Sequence, residues 1–185
     1  MERHRASEYL VLRQAIAQRG ALRHALVLCG IAIWAVLLIA VLVLLPYPFF
    51  AALPLLALLV TFEVIRPLHF GAERIGRYIQ VFYEEAGEPD RAVSDTPAWE
   101  RIAMRFGTVP GVGGHPLFVP PFLLATAMNY VAVLLPGPAA IELSVMAIPH
   151  LGFIAWLVAT DRAMRSQRAI ELARLRELHK GNSPT

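Results

Sequence analysis

The distribution of charge along the chain constrains its fold more than any other feature of the sequence. No Asp, Glu, Lys or Arg occurs between Arg23 and Glu63, between Arg105 and Glu142, or between Glu142 and Asp161. A helix needs about 20 apolar residues to cross the hydrocarbon of a bilayer, so each of these charge-free intervals can hold a spanning helix. We therefore expect an all-α integral membrane protein.

The amino-acid composition supports the same class of protein. Hydrophobic residues make up 57% of the chain and charged residues 17%, whereas soluble domains contain about 25% charged residues. So apolar a chain is expected to be covered by lipid rather than by water. The single cysteine, Cys29, lies inside the first charge-free interval, so an intramolecular disulfide is excluded.

The charge-free intervals contain four apolar runs, which proline-rich tips join in pairs. The runs cover residues 25–45, 49–65, 116–135 and 141–160, and the tips are residues 46–48 and 136–138. Proline is tolerated at such tips because no helical hydrogen bond is needed there. We therefore expect a polytopic protein with four transmembrane helices in two hairpins.

This arrangement divides the chain into five segments. They are a cytoplasmic N-terminal amphipathic helix (1–24), transmembrane hairpin 1 (25–66), a cytoplasmic or interfacial helical segment (67–115), transmembrane hairpin 2 (116–160), and a cytoplasmic C-terminal helix and tail (161–185).

The basic residues predict the orientation of the chain in the membrane. All 17 Lys and Arg lie in the N-terminal segment, between Arg66 and Arg105, or in the C-terminal tail, and neither tip contains one. Basic residues favour the cytoplasmic side, so we expect both termini in the cytoplasm. Sixteen of the 17 are Arg, which is typical of a GC-rich bacterial genome and indicates a bacterial inner membrane. Topology also accounts for the net charge of +3, so a nucleic-acid partner is not needed.

The segment after the second apolar run changes abruptly in character. Pro67 disfavours helical geometry in the residue before it, so the spanning helix is expected to end or kink there. Farther on, two amphipathic stripes recur at helical spacing: Ile75, Tyr78, Ile79 and Phe82, and then Trp99, Ile102, Ala103 and Phe106. These stripes suit helices lying on the lipid headgroups, or alternatively a cap folded beneath the bundle that can dock a partner.

Five charged or titratable residues cross this junction at spacings of three or four. They are Glu63, Arg66, His69, Glu73 and Arg77. If the helix continues past Pro67, this spacing places them along one helix face. We expect arginines to hold Glu63 and Glu73, with Arg66 and Arg77 nearest in sequence. The alternative is that Glu63 faces the bundle interior as a functional site.

Three polar residues within or beside the second hairpin are further candidates. Asn129 lies in the third apolar run, where an amide usually bonds one helix to another. Glu142 is expected at the interface, just beyond the second tip. His150 follows Pro149, so it can line a cavity, bind a metal or haem, or bond a neighbouring carbonyl.

The sequence contains no motif that assigns an enzymatic activity. His69 and Glu73 share a helix face and would need Glu84 or His115 as further metal ligands, but no zinc-binding motif is present. The glycine-rich segment 107–116 lacks the GK[ST] of a phosphate loop and is expected to be a hinge. We therefore expect neither a metal nor a cofactor.

The function expected from the sequence is that of a non-enzymatic membrane component. It would act as a subunit or accessory protein through its cytoplasmic amphipathic surface, in contact with the bilayer and with itself or a membrane-protein partner. The alternative is a homo-oligomeric channel for ions or small solutes. A third hypothesis is an enzyme acting on lipid headgroups with His69, Glu73 and Arg77.

Overall fold

A computed structural model of the protein describes residues 2–45, 47–85 and 118–181. Four α-helices account for most of these residues. They are α1 (Glu2–Leu44), α2 (Ala52–Ile79), α3 (Pro120–Leu134) and α4 (Ala140–Gly181). A short 3₁₀ helix, Pro48–Ala51, precedes α2, and one π-helical turn, Gln80–Glu84, follows it. The described part of the chain is therefore all-helical.

Three of the helical stretches are long and apolar enough to cross a membrane. They lie within Ala6–Leu44, Pro48–Glu84 and Ala140–Gly181. The outward-facing residues of their apolar parts are mostly large hydrophobic side chains, such as Leu28, Val60 and Ile148. A bilayer is the environment that leaves such side chains exposed at little cost.

Helix α3 is shorter than the apolar run from which it was predicted. It has 15 residues and therefore rises only about 22 Å, less than the roughly 30 Å of hydrocarbon. Pro120 and Pro121 occupy its first two positions, where their missing amide protons are tolerated. Residues 118 and 119 before it are not helical, so α3 begins at Pro120, four residues after the start of the predicted apolar run.

Helix α2 passes through Pro67 without ending. Of the two outcomes expected at this proline, an end or a kink of the helix, the end does not occur. A proline inside a helix removes one hydrogen bond and crowds the carbonyl four residues earlier. Helix α4 likewise contains Pro149. Helix α1 runs without a break from the predicted N-terminal segment, which ends at residue 24, into the first predicted span, which begins at residue 25.

The chain forms two compact units. The first, here called the apolar unit, comprises Leu22–Pro67 and His115–Ala163. The second, here called the charged unit, comprises Met1–Ala21, Leu68–Gly114 and Met164–Thr185. Of the two expected amphipathic stripes, the one at Trp99 to Phe106 lies outside the described residues, as do His115 and the glycine-rich segment 107–116.

Phenylalanine rings form the centre of the apolar unit. The fully buried ring of Phe62 on α2 lies 5.3 Å from Phe118, 5.4 Å from Phe122 on α3 and 6.2 Å from Phe153 on α4. The last two contacts are edge-to-face, a favourable geometry for aromatic pairs. This cluster joins α2, α3 and α4.

Helix α1 approaches α2 closely at Gly30. A Cβ atom at this position would overlap the side chain of Thr61. The hydroxyl of Thr61 donates a 2.7 Å hydrogen bond to the carbonyl of Ala57 on its own helix, which restricts the threonine rotamer. Small residues that allow close approach are typical of helix packing in membranes.

In the charged unit, the first amphipathic stripe packs against other helices. Ile79 is fully buried. Tyr78 donates to Glu8 of α1 over 3.3 Å, and the ring of Phe82 lies 5.0 Å from that of His179 on α4. These side chains therefore contact protein within the charged unit.

Candidate functional site

A hydrogen-bonded cluster at Asn129 joins α3 to three other elements of the apolar unit. Asn129 is completely buried. Its Nδ2 donates over 2.9 Å to the carbonyl of Ala51 and lies 2.9 Å from Nε2 of His150 on α4. Its Oδ1 accepts from the indole nitrogen of Trp34 on α1 over 3.4 Å. Asn129 thus bonds α1, the 3₁₀ helix and α4 at once.

The same contacts determine the protonation of His150. Its Nδ1 lies 2.7 Å from the carbonyl oxygen of Met146, which can only accept. The proton is therefore on Nδ1, and Nε2 is the acceptor for the amide of Asn129. His150 is a neutral imidazole with both nitrogens engaged, and it is 2% exposed. It leaves no free nitrogen for a metal or haem.

Glu142 stabilises the start of α4. Its Oε2 accepts a 2.8 Å hydrogen bond from the backbone amide of Ala139, the residue immediately before the helix. A carboxylate three residues into a helix that reaches back in this way satisfies an unpaired amide and favours the helix dipole. This contact gives Glu142 a capping role and separates it from the Asn129 cluster.

Glu63 and Arg66 form an ion pair, and both residues also contact Trp156. The carboxylate of Glu63 lies 2.8 Å from Nη2 of Arg66 and accepts from the indole of Trp156 over 2.7 Å. The guanidinium of Arg66 lies 5.5 Å from the centre of the tryptophan ring. Both charged side chains remain about one third exposed, 34% for Glu63 and 37% for Arg66, so Glu63 does not face the interior.

The charged unit contains a cluster of five ionised residues, here called the ion cluster. Its members are Glu73, Arg74 and Arg77 on α2 and Arg168 and Glu171 on α4. Arg77, only 5% exposed, lies at its centre and contacts Glu171 over 2.7 Å and Glu73 over 3.2 Å. Each carboxylate is held by a second arginine: Arg74 lies 3.2 Å from Glu171, and Arg168 lies 2.8 Å from Glu73.

The environment of Glu171 shifts its pKa. Desolvation by burial raises the pKa, but the hydrogen bonds and charges of Arg74 and Arg77 together outweigh it, so the pKa lies below the ordinary value. The carboxyl of Glu171 is therefore ionised near neutral pH.

A second ion pair lies at the π-helical turn. Arg176 on α4 contacts both oxygens of Glu85, over 2.8 and 2.9 Å. The amide nitrogen of buried Gln80 donates to the same carboxylate over 2.9 Å. Turns of this kind interrupt the regular α-helical pattern and change the direction of the side chains that follow. Here the turn brings Glu85 to α4.

The sequence-predicted residues therefore belong to different sites. Asn129 and His150 are in contact, whereas Glu142 acts separately as a cap. Glu63 pairs with Arg66 in the apolar unit, and Glu73 pairs with Arg77 in the charged unit. His69 is buried. Among residues 2–45, 47–85 and 118–181, no three His, Cys, Asp or Glu side chains are grouped to hold a metal ion.

Several contributors were not anticipated from the sequence, among them Trp34 and Glu171. Trp34 lies in a continuous apolar run and has no charged neighbour to mark it, although a buried indole N–H generally finds an acceptor. Glu171 lies in a tail rich in arginine, where Arg168, Glu171 and Arg174 recur every three residues. That spacing places the three residues on one helix face, and it is the sequence pattern from which an ion pair at Glu171 could have been predicted.

Comparison with known proteins identifies no relative of this chain. No protein-family model, no curated protein and no solved structure matches the chain.

Proposed function

We propose that the protein is a non-enzymatic accessory component of a bacterial inner membrane that binds a protein partner through its charged unit. In this proposal the four apolar runs cross the membrane as two hairpins, both termini are cytoplasmic, and the charged unit lies in the cytoplasm. The observation that carries the proposal is the saturation of the buried polar groups of the Asn129 cluster, which bond one another and the backbone.

That saturation argues against a channel through the apolar unit. A conducting path needs polar groups that face water or a permeating solute. Here Asn129 and His150 are directed at each other, and Glu142 caps a helix. The outward faces of the spanning helices carry large apolar side chains, so an oligomer packed through them would be lined by hydrocarbon.

The contacts of the candidate residues also argue against a lipid-modifying enzyme. His69 and Arg77 are each 4% exposed and cannot reach a headgroup. Glu73 is engaged by both Arg77 and Arg168. Arg77 and Glu73 have a structural role in the ion cluster instead.

The surface of the charged unit supports partner binding. Its exposed large hydrophobic residues include Leu10 at 66%, Val11 at 64%, Ile170 at 67% and Leu178 at 54%. In the proposed topology these side chains face the cytoplasm rather than lipid. Exposed apolar groups beside charged ones are typical of protein interaction surfaces.

Site-specific photo-cross-linking in native membranes tests this proposal. A photoreactive amino acid at Leu10 or Ile170 should give discrete protein adducts. The control is Leu151, equally exposed at 63% but on the apolar part of α4, which should give lipid adducts. Copy-to-copy adducts from Leu151 without adducts from Leu10 or Ile170 would support the channel instead.

A further inference from the structure

A groove in the charged unit combines positive charge with apolar surface. It has a volume of about 280 Å³ and is lined by Arg74 of α2 and by Glu171, Arg174, Leu175 and Leu178 of α4. It lies beside the ion cluster, with which it shares Arg74 and Glu171.

The charge available to a ligand in this groove is positive. The carboxylate of Glu171 is already engaged by Arg77 and Arg74. The side chain of Arg74 is nevertheless 73% exposed, so most of its guanidinium faces solvent, and Arg174 is exposed as well. An incoming anion therefore meets two arginines and a carboxylate that is already neutralised.

The apolar part of the groove has helical periodicity. Residues 171, 174–175 and 178 lie on one face of α4 and cover two turns, about 10 Å of helix length. Leu178 is about half exposed there and Leu175 is partly buried. This spacing matches the anchors of a helix bound in a groove, which recur at three or four residues along the ligand.

We propose that this groove binds an amphipathic helix of the partner protein, with apolar residues directed at Leu175 and Leu178 and carboxylates directed at Arg74 and Arg174. The assignment rests on the proposed function and specifies the chemistry of the partner. Charge complementarity identifies the ligand as acidic, and the paired leucines identify it as apolar on one face.

A lipid headgroup fits the groove less well than such a helix. From Thr160, where the apolar run ends, to Glu171 the continuous helix α4 rises about 16 Å. The headgroup layer on one side of a bilayer is only about 5 to 8 Å thick. In the proposed topology, the stretch of α4 between the apolar run and the groove is therefore longer than the headgroup layer is thick.

Binding of a defined peptide to the full-length protein in phosphatidylcholine nanodiscs tests the assignment. The probe is a fluorescent, helix-stabilised peptide with leucines at helical spacing and flanking glutamates. A matched peptide carries lysines in place of the glutamates. We expect the acidic peptide to bind at least tenfold more tightly than the basic one, with an affinity that falls as salt is raised.

Two single substitutions locate the binding while leaving the ion cluster unchanged. Arg174→Glu and Leu178→Ser should each weaken binding of the acidic peptide at least fivefold. Arg162→Glu is the control, because it makes the same charge change at an exposed position of α4 outside the groove. It should leave the affinity within twofold, and circular dichroism should show the same helicity for all three variants.

Three outcomes would overturn the assignment. The first is equal affinity for the two peptides, and the second is unchanged affinity in both groove variants. The third is displacement of the peptide by phosphatidylglycerol vesicles to the same extent from the wild type and from the groove variants. These outcomes are separable from failure of the proposed function. Protein adducts from Leu10 or Ile170 without binding in the groove would place the partner on another face. An absence of protein adducts would remove the partner itself.

Discussion

Asn129 and His150 lie on different helices of the apolar unit, and the amide nitrogen of one donates a 2.9 Å hydrogen bond to Nε2 of the other. Both residues are fully engaged by further contacts. The pair therefore stabilises the packing of α3 on α4 and has no spare polar atom for a ligand. Its energetic contribution can be measured directly.

Replacing Asn129 by Leu should lower the stability of the protein by about 2 kcal/mol. The substitution leaves the indole N–H of Trp34, the carbonyl of Ala51 and Nε2 of His150 unpaired, and such losses cost roughly 1 to 3 kcal/mol. Unfolding followed by intrinsic fluorescence in detergent provides the measurement. Ser144→Ala is the control, because that exposed hydroxyl bonds only Ala140 of its own helix, and it should change stability by less than about 0.5 kcal/mol.

Replacing Gly30 by Ala should also destabilise the protein. Alanine normally favours a helix by about 1 kcal/mol over glycine, but here the added Cβ overlaps Thr61. Overpacking of this kind costs about 1 to 3 kcal/mol. Gly152→Ala is the matched control, since a Cβ at Gly152 has no neighbouring atom within 4 Å. Combining Gly30→Ala with Thr61→Ala should restore much of the loss, and a failure to do so would show that Thr61 is not the obstacle.

The buried arginine of the ion cluster should contribute more to stability than the exposed ones. Arg77→Gln removes the shared partner of Glu73 and Glu171, and we expect a loss of about 3 kcal/mol, as for other buried pairs. Arg74→Gln, at 73% exposure, should cost less than about 1 kcal/mol. Glu63→Gln should fall near the exposed case, because its pair with Arg66 is partly exposed. Equal losses for Arg77→Gln and Arg74→Gln in thermal unfolding would contradict this ranking.

The ion cluster predicts a dependence of stability on pH. The pKa of Glu171 is lower in the folded protein than its ordinary value of 4.5. Its contribution is therefore complete above that value and is lost as the pH falls below it and through the folded pKa. Measured between pH 7 and pH 3, the melting temperature of the wild type should fall more steeply at the acidic end than that of Glu171→Gln. Parallel curves would show that Glu171 makes no such contribution.

The proposed topology can be tested with reporter fusions. Fusions at Tyr47 and Gly137 should report the outer side of the membrane, because neither tip carries a basic residue. Fusions at Pro89 and Thr185 should report the cytoplasm. A cytoplasmic signal at Gly137 would show that α3, with only 15 residues, does not complete a crossing.

The sequence predicted the class of fold because charge and hydropathy determine what can enter a bilayer. The charge-free intervals predicted the apolar helices, and spacing alone anticipated the contact of Glu63 with Arg66. It left open whether α2 ends or continues at Pro67, because a single proline lowers helix stability without always ending the helix. The short length of α3 was missed because hydropathy does not mark where helical hydrogen bonding begins.

The candidate sites were less predictable because they depend on contacts between distant segments. Asn129 and His150 were each identifiable as polar residues in apolar runs, but their mutual bond and the role of Trp34 follow from tertiary packing. Glu171 looked like an ordinary member of a charged tail until α2 placed Arg77 against it. No local pattern contains that information.

The division of the charged unit into separate stretches of chain has a consequence for biosynthesis. Its first stretch ends at Ala21, and its last begins at Met164. The ribosome must therefore make every apolar run before Arg168 and Glu171 exist to meet Glu73 and Arg77. During translation these two residues of α2 lack their distant counter-ions, so assembly of this unit is a late event that follows synthesis of every apolar run.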